Sequence, residues 1–244
     1  MNIRKVITTG LVTGAFFAGM ASSALAVTID WNNDYRTGSG GEFTLVGTGL
    51  NLGAYAVNVG LDDGTKGIIG GDSFQTFCIE HNEFISKGQG VMFGLSSGAI
   101  NGGANVVAGN PGGNPDPVSI GTAYLYSQFA AGTLSGYNYN TTVAGRQASA
   151  GLLQNAIWYF EGEQALSGSN IFVTAMETKF GSYAGAVADS GGAYNVKAVN
   201  LVAANGVTLR QDQLYVAVPD GGSTLALLGL AIGSLAFIAR RRKA

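Results

Sequence analysis

Short runs of β-prone residues alternate with glycines from Val27 to about Lys87. Several of these runs alternate apolar and polar positions, which is the pattern of strands with one buried face. We expect strands at 27–31, 42–46, 54–61, 73–80 and 83–86, with a turn at 62–64. Glycines cluster again between residues 88 and 117, where three prolines follow. The sequence therefore predicts an exposed loop there.

Helical periodicity begins after this loop. Ser119 is a suitable N-cap for a helix over 120–131, and apolar residues recur at helical spacing over 144–160. A third, weaker helix is predicted at 171–180. Strand patterns return at 194–203, 207–209 and 214–218, with a turn at 205–206. This order predicts one α+β domain, mainly antiparallel β (a barrel or a sandwich), with a helical middle section of two or three helices.

Composition narrows the function mainly by exclusion. The chain has 244 residues, enough for a real core, but 11% are charged and there is one cysteine and one histidine. A single cysteine allows no intramolecular disulfide, and a single histidine excludes multi-histidine metal centres, so we expect no metal and no cofactor. Residues 27–219 hold seven basic and fourteen acidic residues, and this negative excess disfavours nucleic-acid binding.

The two ends read as targeting segments rather than as parts of the fold. Residues 1–26 combine a basic start, an apolar stretch and an Ala-Leu-Ala site, which is the pattern of a signal peptide cleaved before Val27. Near the other end, an apolar run at 225–239 is followed by four basic residues that should stay cytoplasmic. The run is preceded by a short motif, Val218, Pro219, Asp220 and Gly221. We therefore divide the chain into 1–26, 27–217 and 218–244.

This last segment resembles the PEP-CTERM family of bacterial sorting tails, in the variant with Val-Pro-Asp in place of Pro-Glu-Pro. The resemblance implies a Gram-negative host, with signal peptidase and exosortase as partners during export. It also implies an exported protein, at the cell surface or extracellular, that is transiently membrane-anchored through its C-terminal helix. This resemblance explains how the protein is exported and sorted, and it does not indicate what the protein does afterwards.

A second resemblance involves the single cysteine. Cys78 stands in Phe-Cys-Ile-Glu and Gln154 in Gln-Asn-Ala-Ile-Trp. Together they resemble the thioester domain (TQXA) family of bacterial surface proteins, although Leu153 stands where that family usually has threonine. The resemblance implies an internal thioester between the Cys78 sulfur and the Gln154 carbonyl, formed with loss of ammonia. An amine on an extracellular polymer or surface protein would then attack the bond, giving covalent adhesion.

Three neighbours are candidates to shield or assist this bond. Trp158 follows Gln154 by one helical turn and is placed to shield it. On a strand, Glu80 would share the face of Cys78 and is the better candidate acid or base, whereas His81 would face away. The reaction happens once per molecule, so we expect that the protein is not an enzyme.

The alternative is a non-covalent structural or exopolysaccharide-associated protein of the biofilm matrix. In that case Cys78 is an inert buried residue and Gln154 an ordinary helix residue. A G-x-S-x-G sequence at 94–98 does not indicate a hydrolase. In α/β-hydrolases this motif is followed by a catalytic histidine, whereas the single histidine here precedes it.

Overall fold

The computed structural model describes residues 26–38, 40–47, 73–86, 90–100, 115–140 and 143–216. Residues 1–25 of the predicted signal peptide, the strand at 54–61, the turn at 62–64 and the C-terminal sorting segment lie outside these residues. Within the described ranges, no helix has the length and apolar character needed to cross a membrane.

The described strands form one larger and one smaller antiparallel sheet. Their bounds are β1 Ala26–Thr37, β2 Gly40–Gly47, β3 Ser73–Thr76, β4 Gly90–Ser96, β5 Gly98–Ala99, β6 Asp116–Pro117, β7 Val196–Ala203 and β8 Leu209–Val216. The larger sheet has the order β3-β2-β1-β4-β7-β8, and β5 pairs with β6. All pairings are antiparallel, as the sequence predicts.

The two edges of the larger sheet meet just after β3. Two backbone hydrogen bonds join this segment to β8, from Ile79 N to Asp212 O at 2.9 Å and from Leu214 N to Phe77 O at 3.1 Å. Cys78 lies between them, opposite Gln213 in an antiparallel bridge. Because chain that follows one edge strand pairs with the other edge strand, the sheet closes in the manner of a barrel.

The helical middle section is confirmed. Its helices are α1 Ile120–Ala130, α2 Val143–Phe160, α3 Ile171–Phe180 and α4 Tyr183–Ala186. Ser119 caps α1 as predicted, since its hydroxyl accepts from Thr122 N at 3.2 Å. At the end of α3, Gly181 adopts a left-handed φ of 82°, a conformation that favours glycine. Helix α4 was not predicted, because four residues are too few to show a period.

Helix α2 packs against the β1–β2 hairpin and carries the candidate glutamine. Its inner face supplies five fully buried apolar residues to the main core, namely Ala150, Leu153, Ala156, Ile157 and Phe160. Leu153 thus occupies a core position, which accounts for an apolar side chain where a threonine would be typical of the resembled family. Tyr159 is partly buried against the same core.

Several predicted boundaries are wrong. The segment 88–117 is not one exposed loop, because β4 lies inside the larger sheet between β1 and β7 and Val91 is buried there. Glycines on both sides hid this short apolar run. Pro117, which has no N–H to donate, is accommodated in the small two-stranded sheet.

The other differences concern strand ends. The strand predicted at 73–80 stops at Thr76, and 83–86 forms no strand. Strand β7 begins at Val196 rather than 194, because Tyr194 and Asn195 have φ values of 59° and 57°, outside the β region. The two short strands predicted at 207–209 and 214–218 form one strand, β8, with a register shift opposite Val199–Leu201.

Candidate functional site

The fold brings Cys78 and Gln154 together although 76 positions separate them. Cys78 N donates to Gln154 Oε1 at 3.0 Å, and Gln154 Nε2 donates to Cys78 O at 2.7 Å. Cys78 is 0% exposed and Gln154 is 1% exposed. The carboxamide of the glutamine is therefore fixed on the backbone of the cysteine by two hydrogen bonds in a buried setting.

A third hydrogen bond comes from the β1–β2 hairpin. Gly41 N donates to the same Gln154 Oε1 at 3.3 Å. The oxygen thus accepts from two backbone N–H groups that lie on different segments of the barrel. Backbone donors aimed at a carbonyl oxygen stabilise the negative charge that develops there when a nucleophile attacks the carbon. The arrangement has the form of an oxyanion hole around the Gln154 carbonyl.

The hairpin approaches α2 so closely at Gly40 that a larger residue does not fit. A Cβ at this position would lie 2.3 Å from Trp158 Cη2 and 2.5 Å from Gln154 Cγ. Both distances are far below ordinary carbon–carbon contact. Glycine at this position therefore lets the donor strand reach the glutamine.

The sulfur of Cys78 lies in a small cluster of its own. Phe43 and Trp158 pack with Cys78, apart from the main core that contains Phe77. Gln213 Nε2 donates to Cys78 Sγ at 3.4 Å. Burial raises the pKa of the Cys78 thiol well above its ordinary value, and the charge of Glu80 raises it further, while the Gln213 bond lowers it. The resting group is a neutral thiol.

Trp158, the predicted shield, packs in the same cluster as Cys78. Its side chain is 4% exposed. Its ring meets the ring of His81 edge-on, with centroids 4.6 Å apart. His81 is partly exposed, and its backbone N donates to Glu163 Oε2 at 2.9 Å. The structure therefore places His81 next to Trp158.

Glu80 is 1% exposed, two residues beyond the cysteine. Its Oε2 accepts from Asp212 N at 3.0 Å, and a side-chain hydrogen bond joins its carboxyl to that of Glu83. Burial raises the pKa of the Glu80 carboxyl strongly, and the nearby charge of Asp212 raises it further. A carboxyl of this kind keeps its proton near neutral pH and is able to donate it.

A buried ion pair supports the site from the side of α2. Arg146 and Glu42 are both fully buried, with Arg146 Nε donating to Glu42 Oε2 at 2.8 Å. Tyr137 Oη donates to the same oxygen at 2.6 Å, and the guanidinium lies 4.6 Å from the centre of the Tyr35 ring. Burial raises the pKa of Glu42, while Arg146 and Tyr137 oppose that shift. Since Glu42 follows Gly41 directly, the pair fixes α2 on the strand that supplies the oxyanion donor.

Sequence reasoning missed the supporting residues. Arg146 gave a usable signal, because it is the one charged residue in the 18 residues of α2. The glycine pair at 40–41 gave a weaker one. Gln213 gave none, since its contact with Cys78 depends on closure of the sheet.

Comparison with known proteins gave a match for the C-terminal segment. Residues 217–243 match the family model of the VPDSG-CTERM motif. No curated protein and no solved structure matches the chain. The motif indicates an exported protein that is sorted through its C-terminal end, and it is consistent with handling by an exosortase. The thioester interpretation rests on the sequence around Cys78 and Gln154 and on their geometry.

Proposed function

We propose that this exported protein forms an internal thioester between Cys78 Sγ and Gln154 Cδ. The bond would attach the protein covalently to an amine on a surface protein or on a polymer of the extracellular matrix. The observation that carries the proposal is the position of the Gln154 carboxamide, held by Cys78 N, Cys78 O and Gly41 N. Any buried glutamine needs hydrogen-bond partners, but here one donor is the backbone of the residue that carries the sulfur.

Thioester formation replaces the amide nitrogen on Gln154 Cδ with the sulfur of Cys78. The Cys78 sulfur attacks Gln154 Cδ, and the two backbone N–H groups at Oε1 stabilise the negative charge of the tetrahedral intermediate. The carbon–nitrogen bond then breaks and Nε2 leaves as ammonia, having taken the proton that the thiol gave up. Thiol and carboxamide thus give thioester and ammonia, and no oxidant or reductant is consumed. Glu80 is the candidate to relay this proton, because its buried carboxyl lies close enough for its charge to raise the pKa of the Cys78 thiol and holds a proton near neutral pH.

The reaction with a partner has the same form. A neutral amine attacks Gln154 Cδ, the carbon–sulfur bond breaks, and an amide to the partner forms. The Cys78 thiol is regenerated with a proton from the attacking nitrogen. The protein reacts once, so the process is a cross-link and has no turnover.

Burial explains how such a bond would survive in water. Cys78, Phe43 and Trp158 exclude solvent from the sulfur, and excluding water suppresses hydrolysis of a reactive intermediate. The same enclosure requires an opening for the partner. Trp158 is the most exposed of the three, at 4%, and it contacts the partly exposed His81. We therefore infer that the amine enters on the side where Trp158 meets His81.

A second candidate function is a non-covalent structural protein of the exopolysaccharide matrix. The observation that favours it is the complete burial of Cys78, which raises the pKa of its thiol and makes it a poor nucleophile. The exported character of the chain fits both functions. They differ in whether Cys78 ever becomes acylated.

The test is to map the product of methylamine treatment. The purified protein is incubated with methylamine, and the modified side chain is located by peptide mass spectrometry. We expect a methylamide on Gln154 together with a newly alkylatable Cys78. Cys78→Ala should abolish the label, and Gln154→Glu is the matched control because it keeps the side-chain shape while lacking the amide nitrogen that leaves as ammonia. A label on Gln213, or none, would refute the assignment of Gln154.

A further inference from the structure

We infer that Gln213 is a residue of the thioester site, which holds the Cys78 sulfur in place and stabilises it when the carbon–sulfur bond breaks. This inference rests on the proposed thioester. It assigns a role to a side chain that approaches the cysteine from β8, on the opposite edge of the sheet from β3.

The orientation of the Gln213 amide follows from its acceptors. Nε2 donates to Cys78 Sγ at 3.4 Å and to Gln211 O at 3.2 Å. The reversed amide would place its oxygen against the Gln211 carbonyl, so the donor must face the sulfur. The N–H therefore points at the atom that gains and loses electrons in the proposed reaction.

The Gln213 side chain is fully buried, and the hydrogen bonds that it donates both come from Nε2, to Cys78 Sγ and to Gln211 O. The side chain is not needed to join the strands, because backbone bonds from Ile79 N and Leu214 N already do so. Its N–H is thus available to the sulfur.

The chemistry requires a donor at this point. When an amine displaces the sulfur, the electron pair of the carbon–sulfur bond moves to Sγ, and burial makes a bare thiolate unfavourable. The Gln213 N–H stabilises that charge until a proton arrives from the attacking nitrogen. A hydrogen bond to a charged group is about twice as strong as one between neutral groups. Formation of the thioester passes through the same type of transition state, so it gains from the same contact.

Gln154 is the better acyl donor of the two glutamines near the cysteine. Its Oε1 accepts from two backbone N–H groups, which stabilise an oxyanion, whereas no described residue donates to Gln213 Oε1.

The test compares Gln213→Met with Gln211→Met in the purified protein. Gln211 is the matched control, since it is a buried glutamine on the same strand whose Nε2 donates to Glu80 O rather than to sulfur. Release of the Cys78 thiol by methylamine is followed with a thiol reagent, and folding is checked by urea unfolding. We expect release from Gln213→Met to be ten- to a hundredfold slower in a variant that still unfolds cooperatively in urea. Release from Gln211→Met should stay within about threefold of the unmodified protein.

A second variant separates hydrogen bonding from packing. In Gln213→Glu, the protonated carboxyl can donate to sulfur, but the carboxylate formed at higher pH cannot and repels a thiolate. The rates of both proteins rise as methylamine loses its proton, but that of Gln213→Glu should rise less steeply or level off where its carboxyl ionises. Parallel pH profiles, or a folded Gln213→Met that releases thiol at the unmodified rate, would overturn the role of Gln213. Absence of the bond in the unmodified protein would instead overturn the proposed function.

Discussion

Gly40 offers the sharpest link between packing and the proposed chemistry. Replacing it with alanine adds one methyl group, which would lie 2.3 Å from Trp158 Cη2 and 2.5 Å from Gln154 Cγ. Carbon atoms pack at about 3.5–4.0 Å, so the two side chains must move by more than about 1 Å. Either movement disturbs the contact between Gln154 and Cys78.

Two effects of different size should follow from Gly40→Ala. Overpacking of this kind costs about 1–3 kcal/mol of the free energy of unfolding, which a stable domain tolerates. A misplacement of about 1 Å in reacting groups lowers the rate about a hundredfold. We therefore expect a folded protein in which thioester formation is slowed far more than stability is reduced.

The assay follows the mass of the protein after refolding and its urea midpoint. Gly38→Ala is the matched control, because Gly38 lies at the tip of the same hairpin with no described atom within 4 Å of an added Cβ. Its φ of 62° makes alanine unfavourable by about 1–2 kcal/mol, a similar loss of stability without contact with Gln154. The reasoning is refuted if Gly40→Ala forms the bond as quickly as Gly38→Ala.

Three further predictions concern the surroundings of the site. Arg146→Met leaves the Glu42 carboxylate buried without its partner and should lower the free energy of unfolding by about 3–5 kcal/mol in urea titrations, whereas adding Glu42→Leu should restore much of it. Burial raises the pKa of Glu161 from 4.5 to about 7, so the folded state holds a proton that the unfolded state releases. Its contribution to stability is full below about pH 4.5 and lost as the pH rises through about 7, by up to about 3 kcal/mol. Glu161→Gln should flatten this part of the urea stability profile, and an unchanged profile would contradict the assignment. Trp158→Ala should admit water to the sulfur, so a bond that forms should hydrolyse to glutamate and free thiol at least tenfold faster, as measured by the gain of one water, about 18 Da.

Local patterns accounted for the helical section. The cap at Ser119 and the apolar spacing of α2 depend on neighbours within a few positions, and both appear where the sequence predicts them. Strand β4 was missed because its glycine-rich flanks resemble a loop, while its place between β1 and β7 depends on distant pairing. Two short strands were predicted where the structure has the single strand β8. The gap between the two predicted strands coincides with the register shift in this strand.

In the candidate site too, residues in local motifs could be predicted from the sequence, whereas residues brought in by distant contacts could not. Cys78 and Gln154 were found through short motifs, and the structure places them in contact. Gly41 and Gln213 reach the pair only because the hairpin packs on α2 and the sheet closes at β8. No local sequence pattern carries that information, since each contact joins residues more than a hundred positions apart.

The most direct measurement is the intact mass of freshly exported protein under non-reducing, amine-free conditions. We predict a mass about 17 Da below that of the sequence between the observed termini, because forming the thioester releases one ammonia. Cys78→Ala, purified in parallel, should show its full sequence mass. A full mass for the unmodified protein, with Cys78 freely alkylated after unfolding, would contradict the thioester and leave the non-covalent matrix protein as the function.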